Sequence, residues 1–185
     1  MATTQSTEPI LIEVGPEQWK EHLDSVEAWL DNLRLMQSSF RKLAEDTAGK
    51  IRDPRIKEHI ACIADAAKEH EATIDTLYAA IGRRPPGLRA TMGTVAAKAR
   101  ELLGDVAEAA GGAAGAWRDL RQMMLSNLDS MGAFGSVEQL GYTLGLLELA
   151  TIAFDVVRDK STQQLLLQEF MLETAPQSIL YDQEI

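Results

Sequence analysis

The chain has 185 residues, 45% of them hydrophobic, and a formal charge of −10 at neutral pH. That length supports one domain with a sizeable core, and the apolar content excludes a disordered chain. The acidic balance argues against a nucleic-acid partner, because phosphate contacts need clustered Lys and Arg, and only isolated basic spots such as Arg83-Arg84 occur.

The single Cys62 excludes an internal disulfide and fits a reducing cytosol, so a cytoplasmic location is expected. No basic segment followed by an apolar core opens the chain, as a signal peptide would. The most apolar run, residues 141–157, is interrupted by Glu148 and Asp155 and is short for a span of ~20 residues. It reads as a buried helix, and no membrane partner is expected.

In chain order, residues 1–15 read as a polar leader. A first helix follows over about 16–48, with Trp19, Leu23, Val26, Leu30, Leu33, Phe40 and Ala44 at heptad spacing. Gln37 breaks that stripe, and a seam glutamine pairs with another buried polar group. A second helix spans about 53–82, with Asp53 as its cap, Pro54 at its first position and Gly82 at its end. Ile56, Ile60, Ile63, Ala67, His70, Ile74, Leu77 and Ile81 fall along one line of it. His70 in that seam reads either as a core histidine bonded to a facing polar group or as an ion ligand, with room left by Ala66 and Ala67.

The breaker cluster at 83–87 ends this hairpin. A modest helix over about 90–110, with Val95, Ala99, Leu102, Leu103 and Val106 as its apolar face, is long enough to carry the chain across a bundle. The Ala/Gly stretch 109–116 reads as a hinge or a weak continuation. A third main helix is expected from Trp117 to about 159, with Met123, Met124, Leu125, Leu128, Met131 and Phe134 supplying bulk. Its glycines predict a kink or break at 132–136. Gly141 and Gly145 share a face that permits close helix approach or marks a dimer seam. Ser161 is read as the cap of a fourth helix to about 180, with Pro176 expected to bend or end it. Residues 181–185 read as a tail.

Four main helices, no strand pattern, two short links and one long crossover predict an all-α, ferritin-like four-helix bundle over residues 16–180, with the helical crossover between the second and third main helices. A di-metal site in that architecture takes one Glu from each of two helices and Glu-x-x-His from the other two. Two ions ~3.5–4 Å apart need several carboxylates to neutralise and bridge them. No Glu-x-x-His occurs. In the run Glu69-His70-Glu71 only His70 faces the core squarely, and His59 lies ~16 Å away by helical rise. Glu138 and Glu148 are alternatives ~15 Å apart. Glu169 and Glu173 lie at i, i+4, on either a core-facing or a solvated face. Glu148 interrupts Leu146-Leu147 and Leu149-Ala150, and if buried it needs a cation, a donor or a proton. The candidate ligands to iron or manganese are therefore His70, Glu138, Glu148, Glu169 and Glu173. Cys62, three residues after His59, reads as an unreactive thiol.

Four stretches carry a family resemblance: LRLMQSSF (33–40), AAKEHEATIDTLYAAIG (66–82), VEQLGY (137–142) and LLLQEFMLE (165–173). Together they resemble the YciE/YciF-type stress-associated ferritin-like proteins of bacteria. The resemblance implies that His70, Glu138 and one of Glu169 or Glu173 match that family's di-iron ligands. It also implies departures, with Gln37 in place of a glutamate, Gln139 in place of a histidine and Gly141 in place of the following glutamate. Amides for carboxylates remove charge and leave weaker donors, so a lost or altered centre is expected.

Two functions follow. The first is a non-catalytic, stress-associated bundle without a cofactor. It would act as a homo-dimer or other homo-oligomer, or by binding a partner protein or a small apolar ligand. The second is a residual iron or manganese protein with ferroxidase-type chemistry at an altered carboxylate site.

Overall fold

The computed structural model describes residues 14–85 and 115–185. Four helices account for nearly all of them: α1, Pro16–Lys50; α2, Pro54–Ala80; α3, Gly115–Leu144; and α4, Leu147–Leu180. Each carries a buried stripe at alternating steps of three and four residues, which is why each forms a helix and turns one face inward. Asp53 caps α2, its carboxylate accepting from the N–H groups of Arg55 and Ile56. The Ile-rich seam read for α2 is buried throughout, His70 included.

Packing is cyclic: α1 lies between α2 and α3, and α4 closes the ring against both of those. α1 runs antiparallel to α3, since Trp29 Nε1–H donates to the Ala133 carbonyl at 3.1 Å while Lys50 pairs with Asp119 at 2.5 Å. The tight turn between α1 and α2 makes those two antiparallel as well. α2 and α3 therefore point the same way, and the chain must pass from one end of the bundle to the other between residues 81 and 114. The expected helix at 90–110, the hinge to 114 and the first 13 residues lie outside the described residues.

The second half departs from the sequence expectation. α3 continues through Gly132 and Gly135 without a break, and the chain reverses instead at Gly145, whose φ of 70° favours glycine. Gly141 is the close-approach position: a Cβ there would meet Ala150 N at 2.7 Å, at the start of α4. Ser161 is not a cap but sits in mid-helix, its hydroxyl donating to the Val157 carbonyl. Pro176 lies inside α4, which continues to Leu180. The last residues fold back: Arg52 N–H donates to the Ile185 carbonyl at 2.8 Å, and the Glu184 carboxylate accepts from the N-terminal N–H groups of α3.

Candidate functional site

Two apolar clusters fill the bundle, one gathered around Leu30, Tyr78 and Phe134, the other around Phe40, Ile60 and Leu167. Between them lies a belt of buried polar side chains contributed by all four helices: Gln37, His70, Asn127, Ser130, Lys160 and Gln163. Each stands in its helix's core stripe, so the heptad register itself carries these polar groups to the centre.

The belt is bonded mainly through amides. Gln37 Nε2 donates to the Ala67 carbonyl at 2.9 Å, and Ser130 Oγ donates to Gln37 Oε1 at 2.8 Å. Asn127 Nδ2 donates to the Lys160 carbonyl at 3.0 Å and to Gln164 Oε1 at 2.9 Å. The expected pairing of Gln37 with a buried polar group is met by Ser130, whose partnership spans α1 and α3.

Lys160 is fully buried. Its Nζ donates to Asn127 Oδ1 at 3.4 Å and stands 4.2 Å from the centroid of Phe40. Loss of water pushes its pKa from 10.5 down to about 7. His70 is buried beside it, with Nε2 3.7 Å from Asp159 Oδ2 and no protein partner for Nδ1 among the described residues. Burial first, and then the Lys160 charge, bring its pKa from 6.5 to about 4, against a smaller upward pull from Asp159. On the rim, Glu71 accepts from Ser38 Oγ and Arg41 Nε, both at 2.5 Å.

Of the predicted ligands, only His70 reaches the belt. Glu148 is exposed in the first turn of α4, Glu169 is exposed, and Glu173 is exposed and bonded to Arg55 at 2.6 Å. By helical rise they stand ~14–20 Å from Lys160 along α4. Glu138 is half-buried, ~16 Å along α3 from Asn127. Gln139 is exposed and lines a shallow groove of about 510 Å³ with Trp29 and Gly132. Among the described residues no three His, Cys, Asp or Glu side chains converge as a metal-binding group. Cys62 is exposed, and His59 rests against Phe170 with ring centroids 5.5 Å apart.

The donor set therefore does not fit a pair of divalent ions. A di-metal centre needs several anions facing inward, whereas this belt presents three amides, a hydroxyl, an imidazole and an ammonium group. Lys160 and Asn127 escaped the sequence reading. The signal was present: Leu149, Ala153, Val156, Lys160, Gln163 and Leu167 form one continuous heptad stripe once α4 is begun at Leu147.

These features define an all-α ferritin-like bundle with an amide-and-lysine centre. No family model matches the chain, and no curated protein matches it. A solved structure described as that of the E. coli stress protein YciF is similar in fold, with a TM-score of 0.64 at 10% identity, covering 84% of this chain and 97% of that one. No described helix is long and apolar enough to cross a membrane.

Proposed function

We propose that this protein is a ferritin-like bundle that has exchanged metal chemistry for structural polarity at its centre, and that it acts through surface contacts with a second copy or another protein. The observation that carries the reading is Lys160, a buried cationic side chain in the belt where the architecture elsewhere holds metal cations. An ammonium and a divalent ion repel one another, and among the described residues no inward carboxylate offsets either. The likeness to a protein described as a stress protein supports a stress response as the setting. A single cysteine supports the cytoplasm as the compartment.

A second reading, one ion held at His70, has a single observation in its favour: the buried Nδ1 without a protein partner. Metal content separates the two. Protein purified without chelator or histidine tag, loaded anaerobically with iron and then with manganese, is expected to hold well under one ion per chain by plasma mass spectrometry. Stoichiometric metal that falls in a His70→Ala variant would overturn the proposal and restore the metal reading.

A further inference from the structure

Among the described residues, the outer faces of α1 and α2 carry no large exposed apolar side chain, whereas α4 carries a row of them. Leu147, Phe154, Leu165, Leu172 and Ile179 are between 45% and 69% exposed. At ~100° per residue they fall within about 40° of one line, opposite the core stripe and running from the first turn of the helix to the last. α4 is thus apolar on two faces, and among the described residues only one of them is buried.

The area is that of an interface. The five side chains expose roughly 500 Å² between them, at the upper end of what a monomer leaves bare. With its flanks, this 34-residue helix face approaches the ~800 Å² per partner of a standard stable dimer.

The spacing says which partner fits. Positions 147, 154, 161, 165, 172 and 179 read the same in both directions about residue 163. An antiparallel second copy therefore sets Leu147 against Ile179 of the partner subunit, Phe154 against Leu172 of the partner subunit, and Ser161 against Leu165 of the partner subunit. Charge favours the same orientation. Arg158, on the edge of the row, would lie beside Glu169 of the partner subunit. A parallel pairing would instead oppose each of these charges to its own copy.

We propose that α4 is a self-association surface on which two copies of the chain pair antiparallel through this outer row. The proposal rests on the reading that the protein works through contacts, and it names the contact.

The test is sedimentation velocity of the full chain over a concentration series, beside Leu165→Glu. The wild type is expected to be a dimer. The variant is expected to raise the dimer Kd by at least about 30-fold while keeping the helical circular dichroism of the wild type. If that variant fails to fold, the charge pair still tests the surface: Arg158→Glu is expected to weaken the dimer, and Arg158→Glu with Glu169→Arg to restore it. In a Cys62→Ser background, Ser161→Cys with Leu165→Cys is expected to cross-link two copies. Leu147→Cys alone is not, because its two copies would lie ~48 Å apart. A monomeric wild type, a dimer indifferent to Leu165→Glu, or cross-linking through Leu147→Cys would each overturn the proposal. Metal at the belt would instead sink the functional reading and leave the oligomeric state to be judged by itself.

Discussion

Lys160 and Phe40 meet across the bundle with the ammonium nitrogen 4.2 Å from the ring centroid, so the central charge of the protein is held against an aromatic face. A ring and one amide oxygen at 3.4 Å compensate poorly for lost water. The lysine is an element of tension in the core.

That tension has a sign. Between pH 7 and 10.5 the unfolded chain holds a proton on Lys160 that the folded chain has begun to release. Stability should therefore rise with pH across that window, with the penalty fully present below pH 7. Lys160→Met, which keeps the length and removes the charge, should flatten this slope and stabilise the protein by about 1–3 kcal/mol at pH 7. Urea unfolding of both proteins at pH 6.5, 8 and 9.5 reads both effects. Equal slopes would mean that Lys160 keeps its water.

His70 reports on the same charge from α2. Its folded pKa of about 4 lies below the usual 6.5, so it too makes stability rise with pH, here between about 4 and 6.5. Removing the neighbouring ammonium in Lys160→Met should move the His70 titration upward, as followed by its imidazole NMR signals. An unmoved titration would disprove the coupling.

Gln37 links two helices by one side chain, donating to Ala67 and accepting from Ser130. Gln37→Ala leaves a hydroxyl and a carbonyl without their partner and should cost about 2–4 kcal/mol. Ser130→Ala should cost about 1–2 kcal/mol, since only one acceptor is stranded. The double variant should cost less than the sum of the two, and additive losses in thermal unfolding would show that the pair is not coupled.

Two glycines of α3 should behave oppositely. Gly141→Ala drives a methyl group into the backbone of Ala150, which the packed turn cannot move aside, and should cost about 1–3 kcal/mol. Gly132→Ala meets nothing within 4 Å and removes a flexible residue from a helix interior, so it should stabilise by about 0.5–1 kcal/mol. Melting temperatures of the two variants provide the comparison.

α1 and α2 were legible because their apolar residues repeat without distraction and their ends carry unambiguous breakers. The all-α bundle and its long crossover followed from that hairpin and the breaker cluster after it. α3 and α4 were misdivided because glycine lowers helix propensity wherever it stands, and Gly132 and Gly135 looked like a break. Packing against α1 overrides that preference, while the real reversal needs the positive φ of Gly145 alone. Once the boundary was drawn at Ser161, Lys160 fell at a helix end, where a lysine is ordinary. Glu148 suggests burial because it interrupts an apolar run, whereas Glu138, Glu169 and Glu173 are ligand candidates through the expected architecture and the family resemblance. Glu148, Glu169 and Glu173 instead share helix surfaces with the exposed leucines of α4.

The connectivity also divides the bundle into two halves. α1 with α2, and α3 with α4, are two local hairpins joined through residues 81–114. Lys160 sits in one hairpin and Phe40 in the other, so the ammonium keeps much of its hydration until the halves close on each other. Closing lowers the lysine's affinity for its proton, so closure should be favoured as the solution becomes more alkaline. The core lysine thus ties a proton to the joining of the two halves, while its contacts with Asn127 belong to the α3–α4 half.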